Sequence, residues 1–452
     1  MSRPRAALVT LGCMKNRVDS QLMEEKLVRA GWEVIQMDDD DPEAASPRLP
    51  LEAVIINTCT FILPAREEAI ETILEWGRLR EAGSVKRLVV SGCLPQRYGR
   101  ELLEEIPEVD ALLGTSGLDR VVDVVAGEPG SPEISIGGPG HDYSDPDRAA
   151  YARPPVGVVK IAGGCSRACS FCVIPQVRGP YQSRPPELIK RDAAWLLEQG
   201  CREINLVAQD STRYGRDLNP PTSLVRLLEE LAGLRGLFWL RVLYTYPRAV
   251  GSDLLDLMAS GWPLVPYLDI PVQHMSDRVL SAMNRPETRE SNLRLLEEAK
   301  TRGLFTRGSF IVGFPGETAA DFSQVEECLE RGLFNYAGVF AYSPEEGTPA
   351  ERLDLPLVPS EVVRERMERA LVAWERGAGR VHQELVGREV PLLVENQAEG
   401  WGRHWGQAPE VDGFTFADGG WPVGFHRGVI TAASARDFWA RPKGPFGKTS
   451  TR

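Results

Sequence analysis

The sequence predicts an α/β multidomain protein with three parts: an N-terminal open α/β sheet domain, a central partial (β/α)6 barrel and a small C-terminal all-β barrel. Short apolar runs alternate with helical stripes along most of the chain. A segment rich in proline and glycine interrupts this alternation once. Near the C-terminus the pattern changes to short β-like runs with many glycines. The length of 452 residues also exceeds what one ordinary core requires.

Residues 1–126 form the first predicted domain, in which three short apolar runs each end shortly before a cysteine. The runs are Arg5–Leu11, Ala53–Ile56 and Leu88–Val90, and the cysteines that follow them are Cys13, Cys59 and Cys93. The carboxyl ends of parallel strands line one edge of a sheet, where open α/β folds bind ligands. The topology therefore predicts that these thiols converge in a three-cysteine site. Three separate loop or core cysteines are the alternative, because free cysteine is often buried.

Residues 127–155 are predicted to be an interdomain linker. They contain 5 glycines and 6 prolines in 29 positions, with an acidic patch around Asp142 to Asp147. Such a composition favours an irregular connection over a packed element.

Residues 156–385 form the second predicted domain, where six strand-like runs alternate with helical stretches. The runs lie near residues 156–162, 203–208, 239–244, 266–270, 306–313 and 336–342. Six such units are typical of an incomplete TIM-like barrel, whose active-site residues lie at the carboxyl ends of its strands. Polar residues follow those ends, and Gln209, Asp210 and Gly313 are candidate ligand contacts. Ordinary loop chemistry or helix capping is the alternative for each of them.

A cysteine loop with C-x3-C-x2-C spacing follows the first barrel strand and contains Cys165, Cys169 and Cys172. Gly163 and Gly164 precede it and permit the unusual backbone of a tight loop. A structural zinc site normally has four protein ligands, whereas this trio lacks an adjacent fourth. An iron–sulfur cube with one open iron fits better, and incidental buried thiols are the alternative. The remaining cysteines, Cys201 and Cys328, are interpreted as packing residues.

Residues 386–441 are predicted to form the small β-barrel, and residues 442–452 a disordered tail. The barrel segment carries 5 arginines, no lysine and 7 acidic residues, a net charge of -2. That balance disfavours a surface that grips phosphates. Its four tryptophans are more typical of core and rim packing than of base stacking.

The whole chain carries a net charge of -12 and no apolar run of about 18 residues. The N-terminus lacks a signal-peptide core, so we expect a cytoplasmic protein without a membrane span. Eight cysteines in such a chain indicate metal or redox chemistry rather than a disulfide framework. An acidic protein repels nucleic-acid phosphates overall and attracts a basic protein partner.

The cysteine loop, with Phe171 before its last cysteine, resembles the cluster loop of radical S-adenosylmethionine (SAM) enzymes. The resemblance implies that its three thiolates hold a catalytic 4Fe-4S cluster whose open iron binds SAM. It also implies that Phe171 lies near the adenine. Gln209, Asp210 and Gly313 would then be further SAM contacts.

The N-terminal motifs narrow the resemblance to the radical SAM methylthiotransferases. Leu11–Asn16, Asn57–Cys59 and Gly92-Cys93 are similar to the N-terminal domain of that family, in which three cysteines hold an auxiliary 4Fe-4S cluster. The C-terminal barrel resembles a TRAM module. The chain departs from the family pattern at Met14, where proline is more usual, and at Gly164, where an acidic residue often stands.

Several segments are similar to the branch of the family that modifies a ribosomal protein rather than tRNA adenosine. They include Gln209–Gly215, Tyr267–His274, Tyr342–Thr348 and Ala408–Gly413. The substrate of this branch is an aspartate β-carbon in the basic small-subunit ribosomal protein of the decoding centre, free or on the ribosome. An acidic barrel suits such a partner. A tRNA adenosine methylthiotransferase is the alternative, and a non-catalytic, zinc- or cluster-stabilised RNA-binding protein is a third hypothesis.

The resemblance also implies a mechanism with two 4Fe-4S clusters and SAM. The barrel cluster, reduced by a donor such as flavodoxin or ferredoxin, passes an electron to SAM, and the resulting deoxyadenosyl radical takes the aspartate β-hydrogen. A radical route is physically sensible because that C–H bond is too strong and too weakly acidic for ordinary base chemistry. The cluster at Cys13, Cys59 and Cys93 carries the sulfur, which a second SAM has methylated.

Overall fold

The computed structural model of the chain describes residues 3–37, 50–128, 132–140, 147–417 and 419–445. Within them lie two α/β domains followed by a closed β-barrel, which confirms the predicted architecture. Most of the predicted tail and of the acidic patch in the predicted linker falls outside these residues.

The first domain is a six-stranded parallel sheet covered by helices on both faces. Its strands are β1 (Arg5–Thr10), β2 (Glu33–Met37), β3 (Leu51–Thr58), β4 (Val85–Gly92), β5 (Ala111–Leu113) and β6 (Glu133–Ser135), in the order β2-β1-β3-β4-β5-β6. Its helices are α1 (Met14–Arg29), α2 (Leu63–Glu81), α3 (Cys93–Tyr98), α4 (Arg100–Glu105) and α5 (Val121–Ala126), with a 3-10 turn at Leu118–Arg120.

Alternate residues of the central strands point into two separate cores. In β1, Ala7 and Val9 belong to the core that includes α2, whereas Ala6 and Leu8 belong to the core that includes α1 and α5. Burial on both faces explains why these strands appear in the sequence as continuous apolar runs. Because β1, β3 and β4 are parallel neighbours, their carboxyl ends share one edge of the sheet, as predicted.

The segment 127–155 contributes a strand to each of the sheets that it joins. Strand β6 pairs in parallel with β5, and β7 (Ala150–Arg153) pairs antiparallel with the first barrel strand, β8 (Val156–Lys160). The segment is therefore not a purely irregular linker. Strands of three and four residues leave too little alternation to be recognised among so many prolines and glycines.

The second domain is a partial barrel whose six parallel strands coincide closely with the predicted runs. After β8 come β9 (Ala162–Gly163), β10 (Gln182–Ser183), β11 (Glu203–Val207), β12 (Trp239–Val242), β13 (Tyr267–Gln273), β14 (Phe305–Val312) and β15 (Tyr336–Ala341), of which β9 and β10 form a short antiparallel ribbon. The helices are α6 (Ile174–Arg178), α7 (Pro186–Glu198), α8 (Leu224–Ala232), α9 (Ser252–Ala259), α10 (Asp277–Ala282), α11 (Arg289–Thr301), α12 (Ala319–Glu330) and α13 (Ser360–Gln383). Short 3-10 turns lie at Ser211–Arg213, Pro247–Ala249 and Pro349–Arg352.

The barrel strands form two half-sheets, β12-β11-β8-β7 and β13-β14-β15. The halves meet through a parallel bridge between Leu240 and Leu264. Since β7 ends one half and β15 ends the other, the barrel stays open on that side. The carboxyl ends of β8 and β11 to β15 all lie at one mouth, where the predicted ligand contacts follow them.

Helix α13 spans 24 residues and packs against α12 and β15. It anchors the mouth, because Arg366 lies 2.7 Å from the Glu317 carboxylate, whose other oxygen accepts the backbone N–H of Gly313. None of the described helices has both the length and the apolar character needed to cross a membrane.

The C-terminal domain is a closed five-stranded barrel. It consists of β16 (Glu389–Asn396), β17 (Trp401–His404), β18 (Thr415–Ala417), β19 (Gly424–Ala433) and β20 (Phe438–Pro445), in the order β16-β17-β18-β20-β19. Strand β20 continues past the predicted boundary at residue 441, so Lys443 belongs to the barrel and pairs with Glu389 at 3.1 Å. The barrel therefore contains a lysine that the count over residues 386–441 leaves out.

A buried ion network attaches the C-terminal barrel to the central domain. Arg403 lies 2.6 Å from the Glu203 carboxylate, and Arg241 lies 3.1 Å from it. Burial opposes ionisation, but the two guanidinium groups hold the pKa of Glu203 below its usual value. Arg241 also donates to the Trp405 carbonyl of the barrel. The three charged side chains are at most 2% exposed, so each depends on its partners for neutralisation.

We expect Arg403→Met to loosen the C-terminal barrel, because it leaves the buried Glu203 with one guanidinium instead of two. Loss of one partner from a buried ion pair costs about 3–5 kcal/mol. Native-state proteolysis should therefore release the barrel much faster than from the unmodified chain, since cleavage follows the population of the opened state.

The matched control is Arg427→Met, which removes an exposed ion pair in the same barrel. Arg427 lies 3.4 Å from Glu389, and the two side chains are 55% and 39% exposed. Its loss should change the stability by less than about 1 kcal/mol. Equal proteolysis of both variants would contradict a docking role for the Arg403 network.

Candidate active site

The first cysteine triad forms where three neighbouring strands end. Cys13 precedes α1 directly after β1, Cys59 follows β3, and Cys93 is the first residue of α3 after β4. The turn at Gly12 requires glycine, since its φ is +84° and a Cβ there would lie 2.6 Å from the Cys59 Cβ. The structure thus brings together three thiols that are far apart in the sequence, at the edge where the strand pattern predicts them.

Two buried asparagines hold the backbone that carries this triad. The Asn16 Nδ2 donates to the carbonyls of Leu11 and Thr58, at 2.9 and 3.0 Å. The Asn57 Nδ2 donates to the Asn16 carbonyl and to the Ser20 Oγ, both at 2.9 Å. These side chains tie the first turn of α1 to the end of β3, so the positions of Cys13 and Cys59 depend on each other.

The pKa shifts of the three thiols in the first triad differ in direction. Burial, followed by the charges of Cys13 and Cys93, raises the pKa of Cys59 to about 12. Burial also raises the pKa of Cys93. At Cys13 burial acts in the same direction, but the nearby Lys15 and Arg178 outweigh it and lower the pKa of that thiol. The positive charges at this edge stabilise a thiolate, which is the form that binds iron.

The second triad lies on the tight loop after β8. Gly164 has a φ of +68°, and a Cβ there would collide with the Pro180 carbonyl, so the acidic residue more usual in the family cannot fit this loop as it stands. The Cys165 N–H donates to the Gly179 carbonyl at 3.0 Å, and the Cys172 N–H donates to the Cys169 carbonyl at 3.2 Å. Gly164 therefore has the conformational role that the sequence predicts, whereas Gly163 is a residue of strand β9 without a positive φ.

Nitrogen donors point at each sulfur of this loop. The backbone N–H of Arg167 lies 3.4 Å from the Cys165 Sγ, and that of Ile174 lies 3.5 Å from the Cys172 Sγ. The Arg285 Nη1 lies 3.9 Å from the Cys169 Sγ. Burial raises the pKa of Cys165, and burial raises that of Cys172 to about 12. These donors would stabilise sulfur that is bound to iron as a thiolate.

Each triad provides three free cysteines, the number of ligands that a four-iron cube with one open iron requires. A cube binds each thiolate through a different iron, so its ligands stand farther apart than those of one ion. Three thiolates per triad and N–H donors to the sulfurs are consistent with a cube that keeps one iron open.

Arg178 connects the two triads. It lies at the end of α6, six residues after Cys172, and its Nε and Nη2 lie 3.3 and 3.1 Å from the Cys93 Sγ. Its Nη1 donates to the Asp19 carboxylate at 2.7 Å, and its Nη2 donates to the Asn16 Oδ1 at 2.6 Å. Lys160 of β8 also contacts Asp19. Burial opposes ionisation of Asp19, but Lys160 and Arg178 lower its pKa to about 2.

The four predicted SAM contacts surround the mouth next to the second triad. Phe171 packs on the cluster that contains Phe314. Both oxygens of the Asp210 carboxylate have partners within the protein. One oxygen lies 2.8 Å from the Arg167 Nε, and the other accepts a hydrogen bond from the Thr212 hydroxyl. The Gln209 Oε1 is buried and has no hydrogen-bond partner among the described residues, so it is available to a ligand.

Gly313, the fourth predicted contact, has a clear structural role. It has a φ of +78°, a Cβ would collide with Val363 of α13, and its N–H donates to Glu317.

Sequence reasoning missed three side chains at the same mouth. Arg167 and Arg285 lie on the ring of Tyr246, with guanidinium carbons 3.8 and 4.4 Å from its centroid. Lys15 lies on the ring of Tyr244 at 3.4 Å. Two of them have a sequence signal, because Lys15 lies in the Leu11–Asn16 motif and Arg167 in the cysteine loop, each two residues after a cysteine of a triad. Arg285 has none. The predicted packing role fits Cys201 and Cys328, which are at most 1% exposed in the main core.

Three family models match separate segments of the chain. Residues 5–114 match the uncharacterized protein family UPF0004, residues 159–329 the radical SAM superfamily, and residues 386–442 the TRAM domain. The matched segments correspond to the sheet domain, most of the partial barrel and the C-terminal barrel.

Curated proteins called ribosomal protein uS12 methylthiotransferase RimO are similar over nearly the whole chain. That of Desulforudis audaxviator is 43% identical over 447 residues, covering 97% of this chain and 96% of that protein. That of Aquifex aeolicus is 42% identical and covers 92% and 91%. That of Trichlorobacter lovleyi is 39% identical and covers 93% of each.

Solved structures support the fold. The radical SAM methyltransferase TsrM from Kitasatospora setae, with cobalamin and a [4Fe-4S] cluster bound, has a TM-score of 0.55 and 18% identity and covers 77% of each chain. The cobalamin-dependent SAM radical enzyme OxsB has a TM-score of 0.52 and 12% identity and covers 82% of this chain and 56% of that one.

If each triad holds its own cube, removal of one thiolate should remove one cluster. We expect the reconstituted chain to bind about eight irons, and Cys59→Ala or Cys165→Ala to bind about four. A variant with both changes should bind almost none. Iron analysis after anaerobic reconstitution measures all three.

Cys201→Ala is the control, because it removes a buried thiol outside both triads. It should keep about eight irons. Full iron content in either triad variant would show that the missing thiolate is not a ligand.

Proposed function

The chain belongs to the RimO family of ribosomal protein uS12 methylthiotransferases, and we propose that it transfers a methylthio group to the β-carbon of an aspartate in that ribosomal protein. One observation carries the proposal: a chain similar to these enzymes over nearly its full length contains two cysteine triads, and Arg178, which follows the second triad, contacts Cys93 of the first. A transfer that needs a hydrogen taken from carbon and a sulfur delivered to it requires two such centres close together.

In this proposal Cys165, Cys169 and Cys172 hold one 4Fe-4S cluster, and Cys13, Cys59 and Cys93 hold the other. When bound, SAM and the two clusters supply the electron, the carbon-centred radical that takes the β-hydrogen, and the methylated sulfur.

The side chains at the mouth bind and shield the reactants. Phe171 packs with Met283, Phe314 and Ala350 and makes an apolar wall beside the second triad. Such a wall excludes water, which would otherwise quench reactive intermediates. The free Gln209 Oε1 can accept a hydrogen bond from the cofactor. Asp210 holds Arg167 over Tyr246, which fixes the charged rim of the pocket.

The charge of the C-terminal barrel favours a basic protein over tRNA. Three of its arginines form ion pairs with glutamates, namely Arg403, Arg427 and Arg436, and so does Lys443. Residues 386–441 nevertheless carry a net charge of -2, which disfavours a surface that binds phosphates. The net acidic chain would instead attract a basic ribosomal protein and orient it.

The remaining parts of the proposal concern partners and location. The substrate is uS12, free or on the small subunit, and the enzyme acts in the cytoplasm, where ribosomes assemble. A flavodoxin or ferredoxin supplies the electrons.

Two cysteine variants separate the roles of the triads. We expect Cys165→Ala to abolish the formation of deoxyadenosine from SAM, because the variant lacks the cluster that would supply the electron to SAM. Cys59→Ala should stop methylthio transfer to a uS12 peptide and still permit some SAM cleavage. Chromatography and mass spectrometry of both products measure this. Deoxyadenosine formation by Cys165→Ala under reducing conditions would refute the assignment.

The substrate is tested in cells that lack the enzyme, by mass spectrometry of their ribosomal proteins and of their tRNA. We expect uS12 to lose its methylthio-aspartate while the methylthio-adenosines of tRNA persist. Loss of the tRNA modification with intact uS12 would favour a tRNA methylthiotransferase instead.

A further inference from the structure

Lys15 is a buried cation at the junction of the first triad and the barrel mouth. It is the second residue of α1, two residues after Cys13, and it is 8% exposed. Its ammonium lies 3.4 Å from the centroid of the Tyr244 ring, which follows β12 at the mouth. This cation–π contact places a positive charge of the sheet domain inside the space where the two domains meet.

Four other cations near the site, two of them buried and two partly buried, each have a carboxylate partner. Arg178 pairs with Asp19 at 2.7 Å, Arg307 with Asp269 at 3.1 Å, Arg167 with Asp210 at 2.8 Å and Arg285 with Glu287 at 3.2 Å. Among the described residues, Lys15 has no such ion pair and no hydrogen bond from its ammonium. An aromatic ring attracts a cation but does not neutralise it, so Lys15 keeps its three donors for an incoming anion.

The surroundings hold Tyr244 rigidly under Lys15. Tyr244 has a φ of +61°, a left-handed conformation that is strained for a bulky residue, and its N–H donates to the Asp269 carboxylate at 2.8 Å. Gln273, at the end of the adjacent strand β13, also has a positive φ of 71°. Strain of this kind concentrates at ligand-binding and catalytic sites. The ring is therefore a fixed support for the ammonium.

The first triad lies close to Lys15, but it does not occupy the hydrogen-bond donors of the Lys15 ammonium. Iron-bound thiolates are anionic, and Lys15 stands only two residues after Cys13, on the first turn of α1. However, the guanidinium of Arg178 is the side chain whose donors contact a sulfur of that triad, Cys93. Lys15 adds positive charge near the triad, but among the described residues its ammonium donates no hydrogen bond to a sulfur of the triad.

We propose that Lys15 binds the β-carboxylate of the substrate aspartate and thereby places its β-carbon beside the first triad; this inference rests on the proposed function. The carboxylate is bonded directly to the carbon that receives the sulfur, so an anchor on it fixes the reacting C–H bond. An ammonium and a carboxylate form a charge-assisted hydrogen bond, which is short and strong in a dry site.

The test compares two uS12 peptides that differ only at the modified position, one with aspartate and one with asparagine. Binding to the reconstituted holoenzyme is measured by fluorescence anisotropy for the unmodified chain and for Lys15→Gln. We expect the unmodified chain to prefer the aspartate peptide by about tenfold or more, as one charge-assisted hydrogen bond predicts. In Lys15→Gln the ratio of the two affinities should fall to near one.

Lys26→Gln is the matched control, since it makes the same change on the same helix, where Lys26 pairs with Asp147. It should keep the full preference for aspartate. An undiminished preference in Lys15→Gln, with iron content equal to that of the unmodified chain, would overturn the role of Lys15.

A second measurement needs no variant. A carbodiimide joins an amine to a carboxylate in direct contact, so it should link Lys15 to the aspartate peptide and not to the asparagine peptide. Mass spectrometry that finds the link on another lysine, or no link, would overturn the proposal. Failure of the unmodified enzyme to methylthiolate the aspartate peptide would instead refute the proposed function, whichever lysine the peptide contacts.

Discussion

The contact between Arg178 and the pair Asp19 and Cys93 fixes the relation between the two cysteine triads. Arg178 stands at the end of the short segment that begins with the second triad, and its guanidinium reaches the sulfur of the first. All the partners are buried, so their charges must be neutralised within the interface. The contact therefore holds the domains together and also donates hydrogen bonds to Cys93, which we propose as an iron ligand.

A chain of contacts extends this constraint to the C-terminal barrel. Asp412 accepts from the Tyr267 hydroxyl at 2.6 Å and lies 3.4 Å from Arg307, which pairs with Asp269. Asp269 accepts the N–H of Tyr244, the residue beneath Lys15. The position of the barrel is thus connected to the site through side chains with few alternative arrangements. The segment Ala408–Gly413, whose role the sequence leaves open, supplies this attachment through Asp412.

The sequence predicts those features that arise from local pattern. The six barrel strands follow from apolar runs, and the convergence of Cys13, Cys59 and Cys93 follows from the strands that precede them. Contacts between residues far apart in sequence leave no such signal. Arg178 and Cys93 are separated by 85 positions, and no sequence pattern indicates that their side chains meet. The strands β6 and β7 were missed for a different reason, because three or four residues among prolines cannot show a period.

The most direct measurement is the magnetic interaction between the two clusters after reduction, observed by pulsed electron paramagnetic resonance. The unmodified enzyme should give one narrow distribution of distances between the clusters, because Arg178 allows one arrangement of the triads. Arg178→Met, loaded with both clusters as iron analysis shows, should give a broad distribution. An equally narrow distribution in Arg178→Met would contradict the view that this contact sets the geometry of the site.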